Sequence, residues 1–263
     1  MSNGKLALVT GASSGLGIAL AEDLARRGYN LVLTARSEQP MQELAERLRS
    51  ARNIDVVVEV SDLSVAGGAA QLISNLDARG LAPDTLVANA AFGINEAFAS
   101  HDPTRLVAML QLNVISLTEL AQVYASRMKA AGRGHIMLVA SIAAFQPTPI
   151  IAAYGATKAF VLSLGEAMHV ELAPQVGVTV LCPGFMETGF GAVAGFHPSD
   201  AVRRIALAPA TVARIGVDAM LSGKPSVVAG GANKIMVLAT RLIPRVVAAR
   251  IAYKMGDSSG HAT

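Results

Sequence analysis

The sequence predicts an α/β chain: a single doubly wound domain over 1–263, built on a mostly or fully parallel sheet of seven strands. Three observations predict it. Short apolar runs alternate with longer stretches of helical character. The runs are apolar at successive positions rather than at every second one, so both sheet faces need cover. A turn holding Gly11, Gly15 and Gly17 joins the first run to the first helical stretch, as parallel sheets of this type require at a strand end.

Residues 6–10, Leu-Ala-Leu-Val-Thr, form the first expected strand, and a helix near 16–27 opens from the glycine turn. The second strand, 30–34, is Asn-Leu-Val-Leu-Thr, with a helix near 40–51 after it. Val-Val-Val-Glu-Val at 56–60 is the third, followed by a helix near 65–79. A fourth strand at 85–89 leads to a long helical stretch near 104–131. A fifth at 135–141 gives way to a loop with Pro147 and Pro149, then a helix near 154–173. The sixth, 178–182, precedes a region over about 188–208 containing Gly189, Gly191, Gly195 and Pro198, expected to form a substrate loop. A helix near 209–222 and a seventh strand at 226–229 follow, then a basic amphipathic segment over about 232–255. No linker, repeat or low-complexity block divides the chain.

Composition bounds the function. Of 263 residues, 52% are hydrophobic and 16% charged, and mean hydropathy is +0.45. That suits a large apolar core, with surface left to bury between subunits. The net charge of +3 is mild and mostly dispersed, so no nucleic-acid partner is expected. A single cysteine, Cys182, excludes an intrachain disulfide and a Cys-rich metal site. His residues do not cluster, and no metal is expected. Two stretches imitate export or membrane segments. Within 6–21 the glycine turn interrupts a signal-like apolar run. Residues 134–157 lack Lys, Arg, Asp and Glu, yet Ser141, Gln146, Pro147 and Pro149 fit a strand, a loop and a helix start better than a span. A soluble, cytoplasmic protein is expected.

The turn reads Thr10-Gly11-Ala12-Ser13-Ser14-Gly15-Leu16-Gly17. Glycines let backbone approach a pyrophosphate, and a helix N-terminus favours its charge. Its position, after the first strand and at a helix start, favours this Rossmann-type reading over a plain turn. Tyr154 and Lys158, four apart on an expected helix, share one face. A nearby ammonium favours a phenolate, so this tyrosine could exchange protons near neutral pH. Ser141 adds a hydroxyl for a substrate oxygen. Alone, Tyr-x-x-x-Lys is usually two unrelated helix residues; the glycine turn gives it weight.

Jointly, Thr10 to Gly17, Asp62, Asn89-Ala90-Ala91-Phe92-Gly93, Asn113, Ser141, Tyr154, Lys158 and Pro183-Gly184 with Thr188 resemble the short-chain dehydrogenase/reductase family over about 5–230. Within it the chain resembles an NADP-preferring bacterial branch. The usual Asn-Asn-Ala-Gly is altered to Ala88-Asn89-Ala90-Ala91, which bears on loop geometry and not on the fold. The resemblance implies an NADP(H)-dependent oxidoreductase that interconverts a ketone or aldehyde and an alcohol. It implies Tyr154 as general acid and base, with Lys158 depressing its pKa and binding the nicotinamide ribose. Ser141 would stabilise the substrate oxygen, and Asn113 would hold a water linking Lys158 to solvent. Cofactor contacts would come from Gly11, Ser13, Ser14, Gly15, Leu16 and Gly17, from Asp62 and Leu63 at the adenine, from Asn89 and Ala90, and from Pro183, Gly184 and Thr188 at the nicotinamide. By the same analogy, the helices near 104–131 and 154–173 would pack a homodimer or homotetramer.

Charge bears on the choice of cofactor. The tip after the second strand reads Thr34-Ala35-Arg36-Ser37, without the acid that binds an NAD ribose. Arg36 can pair with a 2′-phosphate, and Ser37 and Thr34 could add hydrogen bonds. NADP(H) is the expected cofactor; the alternative makes Arg36 a surface residue and puts Glu38 on a ribose. Phe92, Ile142, Ala143, Pro147, Pro149, Phe185, Met186, Phe190 and Phe196 would line the pocket, so a mainly apolar small molecule is expected. His169 is expected to be structural. The tail has no acid between Asp218 and Asp257 but six Lys and Arg, with Pro244 breaking or kinking its helix. The favoured expectation packs it over the core or a neighbouring subunit; a pocket lid or weak membrane-surface contact is the alternative. A non-catalytic dinucleotide sensor on the same fold is the competing function, and it would need no proton donor.

Overall fold

The computed structural model describes residues 5–186, 188, 191, 194–195 and 203–257. Strands β1 (Leu6–Thr10), β2 (Asn30–Ala35), β3 (Val56–Val60), β4 (Thr85–Ala88), β5 (Gly134–Val139), β6 (Val176–Cys182) and β7 (Ser226–Val228) form one sheet, in the order β3-β2-β1-β4-β5-β6-β7. Every neighbouring pair is parallel. The helices are α1 (Gly15–Arg26), α2 (Glu38–Ala51), α3 (Gly68–Ala78), α4 (Pro103–Leu110), α5 (Leu117–Ala131), α6 (Ala152–Leu172), α7 (Pro209–Leu221), α8 (Gly231–Thr240) and α9 (Arg245–Asp257).

Alternation along the strands explains the two apolar layers. On one face Leu8, Leu86, Ile136, Leu138 and Val180 meet Leu72 and Leu76 of α3, Leu120 and Tyr124 of α5, and Val161 of α6. On the other, Val9, Leu31, Leu33, Met137 and Leu181 meet Leu20 and Leu24 of α1, Leu44 of α2, and Val217 and Met220 of α7. Both faces being apolar is why the strands read as continuous hydrophobic runs. Leu8, Leu86 and Leu138 are wholly buried; truncating any to Ala costs about 2–5 kcal/mol. The strand order reverses direction between β1 and β4, so the crevice at their C-terminal ends is where such a sheet takes a ligand.

Two elements differ from expectation. The stretch expected as one helix near 104–131 is α4, a π-helical turn over Gln111–Ser116, and α5. Two buried polar side chains inside that turn find distant backbone partners: Asn113 at Phe92 and Ser116 at the carbonyl of Leu63. Taken whole, Pro103–Ala131 is long and apolar enough to cross a membrane by length and composition, but Leu117, Leu120, Tyr124 and Met128 are buried in the core. The basic tail is two helices with Pro244 between them. It does not bury an amphipathic face over the core as expected: the buried residues described in 231–254 are Asn233, Val237 and Ala248.

Candidate active site

The glycine turn is shaped by close approach. Gly11 has φ +69°, and a Cβ there would lie 2.9 Å from the Ala90 Cα. A Cβ on Gly17 would lie 2.0 Å from the Gly11 carbonyl oxygen, so only glycine fits. The Gly11 and Ala12 N–H groups donate to the Thr34 carbonyl at 2.8 and 3.2 Å, fixing the turn against β2. Ser14 occupies the N-cap of α1, yet its side chain makes no capping hydrogen bond. The start of α1 therefore offers uncapped N–H donors, and Ser13 and Ser14 add hydroxyls at its mouth. Leu16 is buried and serves packing. This cradle, which a Cβ would fill, fits a dinucleotide pyrophosphate.

The end of β4 is tied to that turn. Asn89 donates from Nδ2 to the Thr10 carbonyl at 2.9 Å, and the Asn89 and Ala90 N–H groups donate to Thr10 Oγ1 at 3.0 and 2.9 Å. From the π turn, the Asn113 amide donates to the Phe92 carbonyl at 2.9 Å and to Thr157 Oγ1 at 3.1 Å, and it accepts from the Phe92 N–H at 3.2 Å. Thr157 in turn donates to the Tyr154 carbonyl at 2.7 Å. Asn113 thus joins the loop after β4 to the helix carrying Tyr154. With both amide hydrogens committed, its side chain does not donate to the expected water relay.

Ser141 lies two residues beyond β5 and caps a short 3-10 turn (Ile142–Phe145), accepting from the Ala143 N–H at 3.1 Å. Tyr154 and Lys158 lie on the first two turns of α6. Desolvation pushes the Tyr154 phenol up to about 12, against a hydrogen bond with the Ser141 side chain that pulls it down. Burial brings Lys158 down to about 8. Its ammonium donates to the Val139 carbonyl at 2.8 Å and lies 5.7 Å from the centre of the Tyr154 ring. The expected depression of the tyrosine pKa by Lys158 is therefore not what the structure shows. The ammonium is spent on a backbone carbonyl, and burial governs the phenol.

The sequence matches the profile of the short chain dehydrogenase family over residues 5–195. The chain belongs to this family. A curated relative, 11-beta-hydroxysteroid dehydrogenase-like 4A of Arabidopsis thaliana, is 36% identical over 191 residues, covering 71% of this chain and 62% of that protein. A solved short-chain dehydrogenase from Sphingobium yanoikuyae in complex with NADPH is 30% identical, with a TM-score of 0.78 over 85% of this chain and 87% of that one. Another, from Burkholderia phymatum in complex with NAD, is 26% identical, with a TM-score of 0.78 over 89% and 92%.

The remaining short-chain dehydrogenase positions sit around the same crevice. Exposed Arg36 follows β2, and its charge helps hold the Asp62 carboxyl below its usual range. Desolvation opposes that shift, while the Ser64 N–H and hydroxyl, at 2.8 and 2.6 Å, favour it. Asp62 is thus also a turn aspartate, and Leu63 is a core residue. Thr34 is fully buried in β2 and its hydroxyl has no partner among the described residues, so it does not face a phosphate as expected. Beyond β6, the Pro183 carbonyl accepts from the Ile142 N–H at 2.9 Å, placing the Pro183-Gly184 turn beside Ser141. A Cβ on Gly15 would meet Thr188 at 3.0 Å, so Thr188 lies against the glycine turn. Ile150 holds φ +71°, a strained backbone for a β-branched residue, and its carbonyl accepts from the Glu96 N–H at 2.9 Å. His169 bonds the Val178 carbonyl at 2.8 Å and is structural, as expected. In the expected substrate loop, Asn95 holds the Ala194 and Gly195 carbonyls at 2.8 and 2.9 Å; Phe190 and Phe196 lie outside the described residues.

One residue at the site escaped the sequence reading. Asn233 of α8 is 3% exposed and donates to the Ala229 carbonyl at 2.6 Å. Its amide nitrogen lies 2.3 Å from where a Gly184 Cβ would be. An asparagine between Gly231 and Ile235 in an apolar segment was the available signal, since a buried amide needs partners.

Proposed function

We propose that the chain is an NADP(H)-dependent oxidoreductase that interconverts a ketone or aldehyde and an alcohol on a mainly apolar small molecule. The convergence of Ser141, Tyr154 and Lys158 at the strand ends, beside a glycine cradle suited to a pyrophosphate, carries this reading. The hydroxysteroid name of the Arabidopsis relative supports an apolar substrate. The complexes of solved relatives include NADPH in one and NAD in another, and preference for NADP(H) here rests on Arg36 in a β2 tip, Thr34 to Ser37, that contains no acid of its own.

A bound nicotinamide dinucleotide supplies or accepts the hydride. Tyr154, whose phenol keeps its proton at neutral pH, donates that proton to the carbonyl oxygen during reduction and recovers it during oxidation. Ser141 holds the same oxygen and fixes the Tyr154 hydroxyl. Lys158 binds the ribose and keeps positive charge beside the tyrosine as the proton moves. Asn113 positions α6 through Thr157.

Oxidation of NADPH and of NADH, followed at the nicotinamide absorbance against a panel of ketones, aldehydes and sterol-sized carbonyls, tests the reading. Tyr154→Phe should lower turnover by about 10²–10⁴-fold while NADPH still binds; retained turnover removes the proton donor. Arg36→Ala should weaken NADPH by about 10-fold or more and leave NADH nearly unchanged. An equal loss for both would refute the phosphate contact.

A further inference from the structure

From the surface of the C-terminal helix pair we infer that α8 and α9 dock the protein on an anionic lipid surface. Large apolar side chains stand in solvent along it: Ile235 is 72% exposed, Leu238 60%, Leu242 81% and Val246 63%, with Val247 and Ile251 beside them. Nine of the nineteen large hydrophobic residues exposed among the described ones fall between 235 and 253. The inward residues Asn233 and Val237 lie four apart and seat α8 on the core, so Ile235 and Leu238 project from the opposite side.

Charge selects the occupant. Residues 219–256 carry six Lys and Arg and no acid, against +3 for the whole chain, which leaves the remainder at −3. Elsewhere Arg26, Arg27, Arg47, Arg79 and Arg127 each pair with a carboxylate. Among the described residues, Lys234, Arg241, Arg245, Arg250 and Lys254 form no salt bridge, and all are exposed. A two-fold contact with a second copy through this face would set the same cations against each other with no acid between them. A layer of acidic headgroups over hydrocarbon matches both properties: apolar side chains enter the acyl boundary while Lys and Arg stems reach up to the phosphates. Through Asn233 the docked helix rests on the Pro183-Gly184 turn, so the lipid surface would lie close to the site where an apolar substrate enters.

The test is co-sedimentation of the full chain with phosphatidylcholine vesicles, with and without phosphatidylserine, at low and high salt. The wild type should pellet with the anionic vesicles at low salt, and at least about 10-fold less with phosphatidylcholine alone or at high salt. Leu238→Gln with Leu242→Gln, and separately Arg241→Gln with Arg245→Gln, should each weaken binding by about 10-fold or more. These positions are exposed, so unchanged thermal melting certifies the fold. A wild type that stays in the supernatant overturns the inference, as does binding that ignores both variants. So does a lipid-free oligomer that the leucine variant dissociates, because the face is then a protein interface. No outcome depends on turnover, so the result stands apart from the reaction proposed above.

Discussion

Lys158 shows at the scale of one residue how function and stability oppose each other. A wholly buried ammonium with one carbonyl partner is costly, and its pKa falls from 10.5 to about 8. Between those values the unfolded chain holds a proton that the native protein lacks. This group's contribution to stability therefore rises with pH across that window, and the penalty is full below about pH 8. Replacing it with methionine, similar in length and uncharged, removes the penalty and loses one hydrogen bond. Lys158→Met should thus be more stable than wild type by about 2 kcal/mol at pH 7, with the gain shrinking toward zero by about pH 10. Urea unfolding of both proteins at the two pH values measures this; a gain independent of pH would show that the lysine is not held with a lowered pKa. The same substitution should abolish turnover, the signature of a residue placed for chemistry rather than for folding.

Among elements, the junction of α8 with the turn after β6 is a tight contact at the site. Gly184→Ala puts a methyl group 2.3 Å from the Asn233 amide, an overlap that costs about 1–3 kcal/mol. Adding Asn233→Ala should return part of that loss, with a coupling energy of about 0.5–3 kcal/mol in a double-mutant cycle on thermal unfolding. Additive effects would mean that α8 does not bear on the turn. The buried asparagine in an apolar segment was there to read, but nothing in the sequence pointed Asn233 to Gly184, which lies 49 positions earlier with no local period linking the two. The π turn was hidden for a related reason. Gln111 to Ser116 has ordinary helical composition, and what distinguishes it is the pull of Phe92 and Leu63 from other parts of the chain. The strands were legible to within two residues because burial on both faces writes itself into consecutive Val and Leu. The glycine turn was legible because backbone contact leaves no room for a side chain. Lys158 was placed correctly on its helix, but its partner is a backbone carbonyl, and carbonyls leave no trace in residue identity.

At the scale of the molecule, two apolar surfaces have different charge and suit different uses. The tail is uniformly basic. By contrast, the face made by α4, the π turn and α6 exposes Val107 at 64%, Ile115 at 47% and Phe160 at 41%, and α6 packs against both of its neighbours in that face. This surface carries acids as well as a base, with Arg105 on α4 and Glu166 and Glu171 on α6. A second copy can therefore meet it without the like-charge clash that the tail would create. We expect the protein to be a homodimer or homotetramer through these helices. Light scattering behind size exclusion should give a multiple of the 27.1 kDa chain mass. Val107→Lys combined with Phe160→Lys should move it to the single-chain mass, because each ammonium would be buried against its two-fold mate without a partner. Both positions are exposed in one chain, so the fold should survive, and cofactor binding by the dissociated protein confirms that. A wild type running at the single-chain mass, or a double variant that keeps its assembly, would move the interface off this face.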